Sequence, residues 1–141
     1  MAAGTGNGRR ELVVDLGERS YPIIIGTGLL DGAGDLFLER GFSVKAPILL
    51  VTDSSISDLY APKVEQSLRA AGYTVARAVV PSGESSKSLD VFDDLITAAL
   101  EAGLDRKSTI IALGGGVVGD LGGFAAASYM RGVRFVQMPT A

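Results

Sequence analysis

Apolar positions along this chain change rhythm from one stretch to the next, and the changes predict its elements. Residues 11–16 (Glu-Leu-Val-Val-Asp-Leu) and 21–25 (Tyr-Pro-Ile-Ile-Ile) flank a short polar stretch, 17–20. β-Branched runs on either side of a turn predict a hairpin. Leu29, Leu30, Phe37 and Leu38 suit a helix over 29–40 that stops at Gly41. Residues 47–52 are a continuous apolar run, as in a strand covered on both faces. Ile56, Leu59, Tyr60, Val64 and Leu68 then recur at helical spacing up to Gly72. The same alternation repeats with a strand at 73–80 and a helix marked by Leu89, Phe92, Leu95, Ile96 and Ala99, closed by Gly103. A buried strand at 108–113, a glycine turn at 114–116, a helix at 117–130 and a strand at 133–138 complete the pattern. Strand and helix alternating three times predict right-handed crossovers and a Rossmann-like, mostly parallel α/β sheet behind an N-terminal β-hairpin.

The domain plan is a flexible start over 1–10 and one α/β domain over 11–141. The first ten residues are small, polar and glycine-rich, with no apolar core of the kind a secretory signal needs. Residues 108–130 are the most apolar, yet Asp120 and several glycines interrupt them, which favours a buried strand–turn–helix over a membrane span. Cytoplasmic localisation is the expectation. Thirteen Lys and Arg against sixteen Asp and Glu give a formal charge of −3. Without a basic stripe, nucleic acid is not an expected partner. The chain has no Cys and no His, which excludes a disulfide framework and argues against a zinc site built from this chain alone.

Candidate chemistry gathers where strands are expected to end. In Leu113-Gly-Gly-Gly-Val-Val-Gly-Asp120 a buried strand meets three glycines and then a helix. Glycine allows close approach of a ligand, and a helix start offers unpaired N–H groups and a positive dipole end, a combination suited to pyrophosphate. A tight turn that binds nothing is the alternative. Asp120, expected in the first helical turn, either complements the dipole or faces the ligand. Asp53 closes a strand, where a carboxylate serves equally as a ribose acceptor or as a helix N-cap. Glu84 and Lys87, three apart, share a face if a helix starts there, as a solvated pair or as charges aimed at the crevice. Arg131 follows a helix end, a place that favours cations, and arginine is also suited to bidentate phosphate recognition.

Four segments together resemble the dehydroquinate synthase family: Val51-Thr-Asp53, Pro81-Ser-Gly-Glu-Ser-Ser-Lys87, Leu113 to Asp120, and Ser128-Tyr-Met-Arg-Gly-Val-Arg-Phe-Val-Gln-Met-Pro-Thr140. The resemblance runs from Arg19 to the last residue and covers the first of the family's two domains. It implies that Asp53 holds the adenosine ribose of NAD, with Ser55 where the family often has Asn. Gly83, Glu84 and Lys87 would border the cofactor, Gly115, Gly116 and Val117 would meet its pyrophosphate, and Asp120 would lie near the nicotinamide. Thr140 and Ala141 stand where the family usually has a Thr-Thr pair, and Ala141 supplies no hydroxyl. Arg131 would bind the substrate phosphate.

The implied reaction converts 3-deoxy-D-arabino-heptulosonate 7-phosphate to 3-dehydroquinate and phosphate in the shikimate pathway. In it NAD oxidises a ring alcohol transiently, phosphate leaves, the hydride returns and an aldol step closes the carbocycle. Zinc or cobalt polarises the oxidised centre, and its two His and one Glu would belong to a second domain. The chain is accordingly expected to be an amino-terminal piece with no catalytic or metal-binding residue of its own, inactive alone, from a homodimeric enzyme. Alternatives are a 2-deoxy-scyllo-inosose or sedoheptulose 7-phosphate cyclase, a metal-dependent polyol dehydrogenase, and a non-catalytic nucleotide-binding module. The Tyr129-Met-Arg-Gly132 segment speaks against the dehydrogenase.

Overall fold

The computed structural model describes residues 3–4, 10–15, 21–25 and 28–140. Strands β2 (Arg10–Val14) and β3 (Tyr21–Ile25) pair antiparallel, as the hairpin reading requires; its expected turn at 17–20 lies outside the described residues. Within the stretch expected to be a flexible start, β1 (Ala3–Gly4) adds a third antiparallel strand by pairing with Arg10 and Glu11. Arg40 ties this small sheet to the rest through an ion pair with Glu11.

The main sheet has four parallel strands in the order β5-β4-β6-β7: β4 (Ile48–Asp53), β5 (Val75–Val80), β6 (Thr109–Gly114) and β7 (Arg134–Pro139). Every residue of β6, and all of β4 up to Thr52, is buried. Successive side chains of a strand point to opposite faces, and here both faces are covered. Ile48, Leu50, Ile111 and Leu113 pack with α1 (Ala33–Glu39) and α2 (Ser57–Ala70) through Phe37, Ala61, Val64 and Leu68. Leu49, Val51, Ile110 and Ala112 pack on the other side with α3 (Leu89–Glu101) and α4 (Gly116–Ser128) through Leu95, Ala99, Val118, Leu121 and Ala125. This two-sided burial is why the central strands read as unbroken apolar runs.

Helix starts depart from the expected positions. The 29–40 helix is only α1; turns hold the residues before it, because Gly32 N–H bonds back to the Gly28 and Leu29 carbonyls. α3 begins at Leu89, where the Ser88 side chain caps the Val91 N–H. Glu84 and Lys87 therefore do not lie on a face of that helix. Glu84–Ser86 is a single 3-10 turn instead, entered through Gly83 at φ +100°, a value that favours glycine. Helix α4 ends at Ser128, and a second 3-10 turn, Tyr129–Arg131, follows it. Among the described residues, no helix is long and apolar enough to cross a membrane.

Candidate nucleotide site at the carboxyl edge of the sheet

The site begins with topology. β4 and β6 are neighbours, pairing from Ile48↔Thr109 to Thr52↔Leu113, and the Thr52 hydroxyl donates to the Leu113 carbonyl at 2.8 Å. Yet the chain leaving β4 enters α2 on one face of the sheet, whereas the chain leaving β6 enters α4 on the other. Adjacent strands whose exits diverge leave a crevice beyond their carboxyl ends, the usual ligand position in open α/β sheets. Asp53 stands on one side of this crevice and the Gly114–Gly116 turn on the other.

At Asp53 the local structure differs from a helix cap. α2 starts only at Ser57, and no side chain caps it. The Asp53 carboxylate instead closes an Asx turn: Oδ1 accepts from Ser55 N–H at 2.8 Å, from the Ser55 hydroxyl, and from Ile56 N–H at 3.3 Å. The next loop is tied to this one, because Ser54 N–H donates to the Val80 carbonyl at 2.9 Å and the Ser54 hydroxyl accepts from Ser82 N–H at 3.3 Å. The sequence reading missed Ser54. Its only signal was a run of short hydroxyl residues after a strand-ending Asp, a common turn composition.

Across the crevice, Gly114 holds φ +149°, and a Cβ there would sit 3.2 Å from the Ile56 Cδ1 and 3.3 Å from Val118. Gly115 takes the N-cap position of α4 in extended conformation, and Gly116 opens the helix. A Cβ added to either of these two would meet nothing within 4 Å. Their glycine identity is therefore unexplained by packing, and the space above their backbone is open. The first N–H groups of α4, with the positive end of a 13-residue helix behind them, face that space.

Asp120 is the fifth residue of α4, which puts it in the second turn rather than the expected first. It accepts an ion pair from Lys87 at 2.7 Å, and Glu84 lies 3.7 Å from the same ammonium. The hydrogen bond that the Lys87 ammonium donates to Asp120 raises its pKa above the ordinary value, and the charges of Asp120 and Glu84 add to it. Lys87 thus bridges the loop after β5 to α4. Thr140 reaches the same edge, its N–H donating to the Gly114 carbonyl at 3.4 Å; Ala141 lies outside the described residues. An open groove of about 340 Å³ runs down from the ion pair between α3 and α4, lined by Leu89, Phe92, Leu121 and Phe124.

Arg131 is not brought to this edge. It lies beyond the far end of α4, three residues before Arg134, the β7 residue that pairs with the first residue of β6. Thirteen residues of helix separate it from the glycine turn, about 20 Å at 1.5 Å per residue. Met130 and Arg131 both have positive φ, +48° and +67°, a conformation that is rare and costly for side-chain-bearing residues. A further charged group went unnoticed in the sequence: Glu65 on α2, 4% exposed, forms a forked ion pair with Arg77 of β5, whose guanidinium also reaches the Ser57 hydroxyl at 3.2 Å. The hydrogen bond to Glu65, together with the nearby carboxylates, raises the already high Arg77 pKa. Among the described residues, no three Asp, Glu, His or Cys converge on a possible metal position.

Comparison with known proteins fits this geometry. Residues 77–141 match the family model described as 3-dehydroquinate synthase N-terminal. The chain is 54% identical over 127 residues to the 3-dehydroquinate synthase of Desulforamulus reducens, and 50% identical over 127 residues to that of Pelotomaculum thermopropionicum. Each alignment covers 90% of this chain but only 35% and 34% of the relative, so the chain spans about a third of their length. A crystal structure of 2-deoxy-scyllo-inosose synthase complexed with carbaglucose-6-phosphate, NAD+ and Co2+ superposes with a TM-score of 0.81 at 22% identity, over 92% of this chain and 34% of that one. This likeness establishes the α/β fold. With sequence matches across nine-tenths of its length, the chain is similar to 3-dehydroquinate synthases over about a third of their length.

Proposed function

We propose that this chain is the NAD-binding part of a 3-dehydroquinate synthase, with residues 11–141 forming the nucleotide-binding domain. The observation that carries the reading is the crevice between β4 and β6, with a strand-ending carboxylate on one bank and two sterically unconstrained glycines at a helix start on the other. The residues present suit a dinucleotide. Asp53 accepts its hydrogen bonds within the chain on Oδ1, so Oδ2 is the oxygen for a ribose hydroxyl. Gly115, Gly116 and Val117 offer backbone N–H groups to a pyrophosphate. Gly83, Glu84 and Lys87 line the approach, Lys87 and Asp120 flank the nicotinamide end, and Ser55 and Thr140 complete the rim.

When bound, NAD supplies a reversible hydride acceptor for a ring alcohol of a heptulosonate phosphate. The chain's own residues bind and orient. The helix start offsets phosphate charge, and the Asp53 carboxylate fixes the sugar. A divalent metal does not fit the described residues, because no trio of ligands converges. Its site, and the groups that complete turnover, are assigned to the longer part that the relatives possess. The reaction proposed for the whole enzyme is phosphate elimination and ring closure from 3-deoxy-D-arabino-heptulosonate 7-phosphate, in the cytoplasmic shikimate pathway; this chain alone does not complete it.

Arg131 contacts the substrate phosphate only from a second copy of the chain, since the full length of α4 separates it from its own crevice. This is the argument for a homodimer. Among sugar-phosphate cyclases, identities of 50–54% to dehydroquinate synthases, against 22% to 2-deoxy-scyllo-inosose synthase, favour the first.

Calorimetric titration of NAD and ADP tests the reading. With one wall of the cleft present, affinity should reside in the adenosine diphosphate half, and ADP should bind nearly as well as NAD. Asp53→Ala should weaken both about tenfold or more. Tight NAD binding with no ADP binding, or no effect of Asp53→Ala, would refute the placement.

A further inference from the structure

The family resemblance makes Ser55 a direct cofactor contact, but in the structure its hydroxyl is engaged elsewhere. A serine hydroxyl has one proton to donate, and here it goes to Oδ1 of Asp53, the same oxygen that accepts the Ser55 and Ile56 N–H groups. Three donors converge on one carboxylate oxygen. A carboxylate on an otherwise free side chain rotates about two bonds. Saturating one oxygen from a fixed turn stops both rotations and leaves the other oxygen with its lone pairs unshared. The turn is itself anchored, since Ser54 bonds both the Val80 carbonyl and Ser82 N–H.

We infer that Ser55 is a positioning residue, which orients the Asp53 carboxylate toward a ribose diol and does not touch the ligand itself. The inference rests on the reading of Asp53 as the ribose contact. It adds that a hydroxyl two residues further along performs by geometry what a longer amide would perform by direct contact. Both backbone donors survive replacement of Ser55, so the exposed hydroxyl can be removed without dismantling the turn.

The test is a double-mutant cycle read by calorimetry with two probes, ADP and 2′,3′-dideoxy-ADP, which lacks the diol. Ser55→Ala should lower ADP affinity about three- to tenfold, the net worth of one ordinary hydrogen bond. Ser55→Thr, which keeps the hydroxyl, should restore it to within about twofold of the unsubstituted chain. In an Asp53→Ala background, Ser55→Ala should change nothing further, and dideoxy-ADP affinity should be the same with and without Ser55→Ala in every background. A loss that persists without Asp53 would mean that Ser55 touches the ligand. An equal loss for both probes would mean a general weakening of the loop. No loss for ADP would mean that the two N–H groups suffice. Each of these outcomes overturns the inference while leaving the nucleotide site standing. Failure of the unsubstituted chain to bind ADP at all would overturn both together.

Discussion

The mouth of the crevice and the packed faces of the helices both depend on glycine, for opposite reasons. At Gly115 and Gly116 a side chain would meet only open space. At Gly34 a Cβ would lie 2.2 Å from the Ser67 carbonyl oxygen, and at Gly122 it would lie 3.0 Å from the Ala112 Cβ and 3.3 Å from the Phe135 ring. Glycine at the packed sites is explained by the fold, which lets α1 close on α2 and α4 close on the sheet. Glycine at the mouth is not explained by the fold; the proposed pyrophosphate, approaching the backbone, would supply the reason. Neighbouring positions along α4 thus separate a glycine that packing requires from glycines that packing leaves free.

The sharpest way to break this distinction is Gly34→Ala. The obstructing atom is backbone, and the Gly34 N–H also donates to the Ser67 hydroxyl at 2.8 Å, so neither helix can yield without losing contacts. Helix propensity favours alanine by about 1 kcal/mol, while overpacking against an unyielding wall costs about 3 kcal/mol or more. The clash wins, and urea denaturation should register a net loss of about 2 kcal/mol or more. A neutral outcome would mean that α1 is loosely docked.

Gly122 and Gly119 sharpen the comparison within α4. For Gly122→Ala the obstacles are a β-carbon fixed on β6 and a ring of β7, so an overpacking cost of about 2 kcal/mol should exceed the same propensity gain. For Gly119→Ala the obstacle, 2.5 Å away, is the amide end of Gln137, an exposed and flexible side chain that can swing aside. The propensity gain should then dominate, leaving stability unchanged or raised by up to about 1 kcal/mol. Melting of the two variants side by side checks the opposite signs.

How much of this is legible in the sequence follows from the same physics. The apolar runs locate β4 and β6 to within a residue or two, because a strand buried on both faces is apolar at nearly every position. The carboxyl-edge loops are also legible, because parallel strands bring all their exits to one edge. What cannot be read is whatever depends on which neighbour a residue meets. Arg77 and Glu65 are twelve residues apart on different elements, and nothing local marks them as partners. Four glycines along α4 look alike in the sequence until the sheet lies beneath some of them. Arg131 stands out by its residue type and place, yet its distance from its own crevice needs the length and direction of α4.

The smallest expected effect on stability is the most informative about function. Gly115→Ala adds one methyl group where nothing lies within 4 Å, at a residue whose φ of −87° and extended ψ any amino acid adopts. The fold should not register it: the denaturation midpoint should shift by no more than about 0.5 kcal/mol in equivalent stability, as for a neutral surface change. A pyrophosphate held by the backbone of this turn would register it strongly, since the added methyl group would occupy the close approach that glycine permits. ADP affinity should fall about tenfold or more while adenosine, which has no phosphate to place there, should bind as before. Loss of stability in step with loss of binding would show that Gly115 belongs with Gly34 and Gly122 as a packing glycine. Unchanged stability with unchanged ADP binding would leave the turn as a strand-to-helix connection and move the phosphate to another part of the edge.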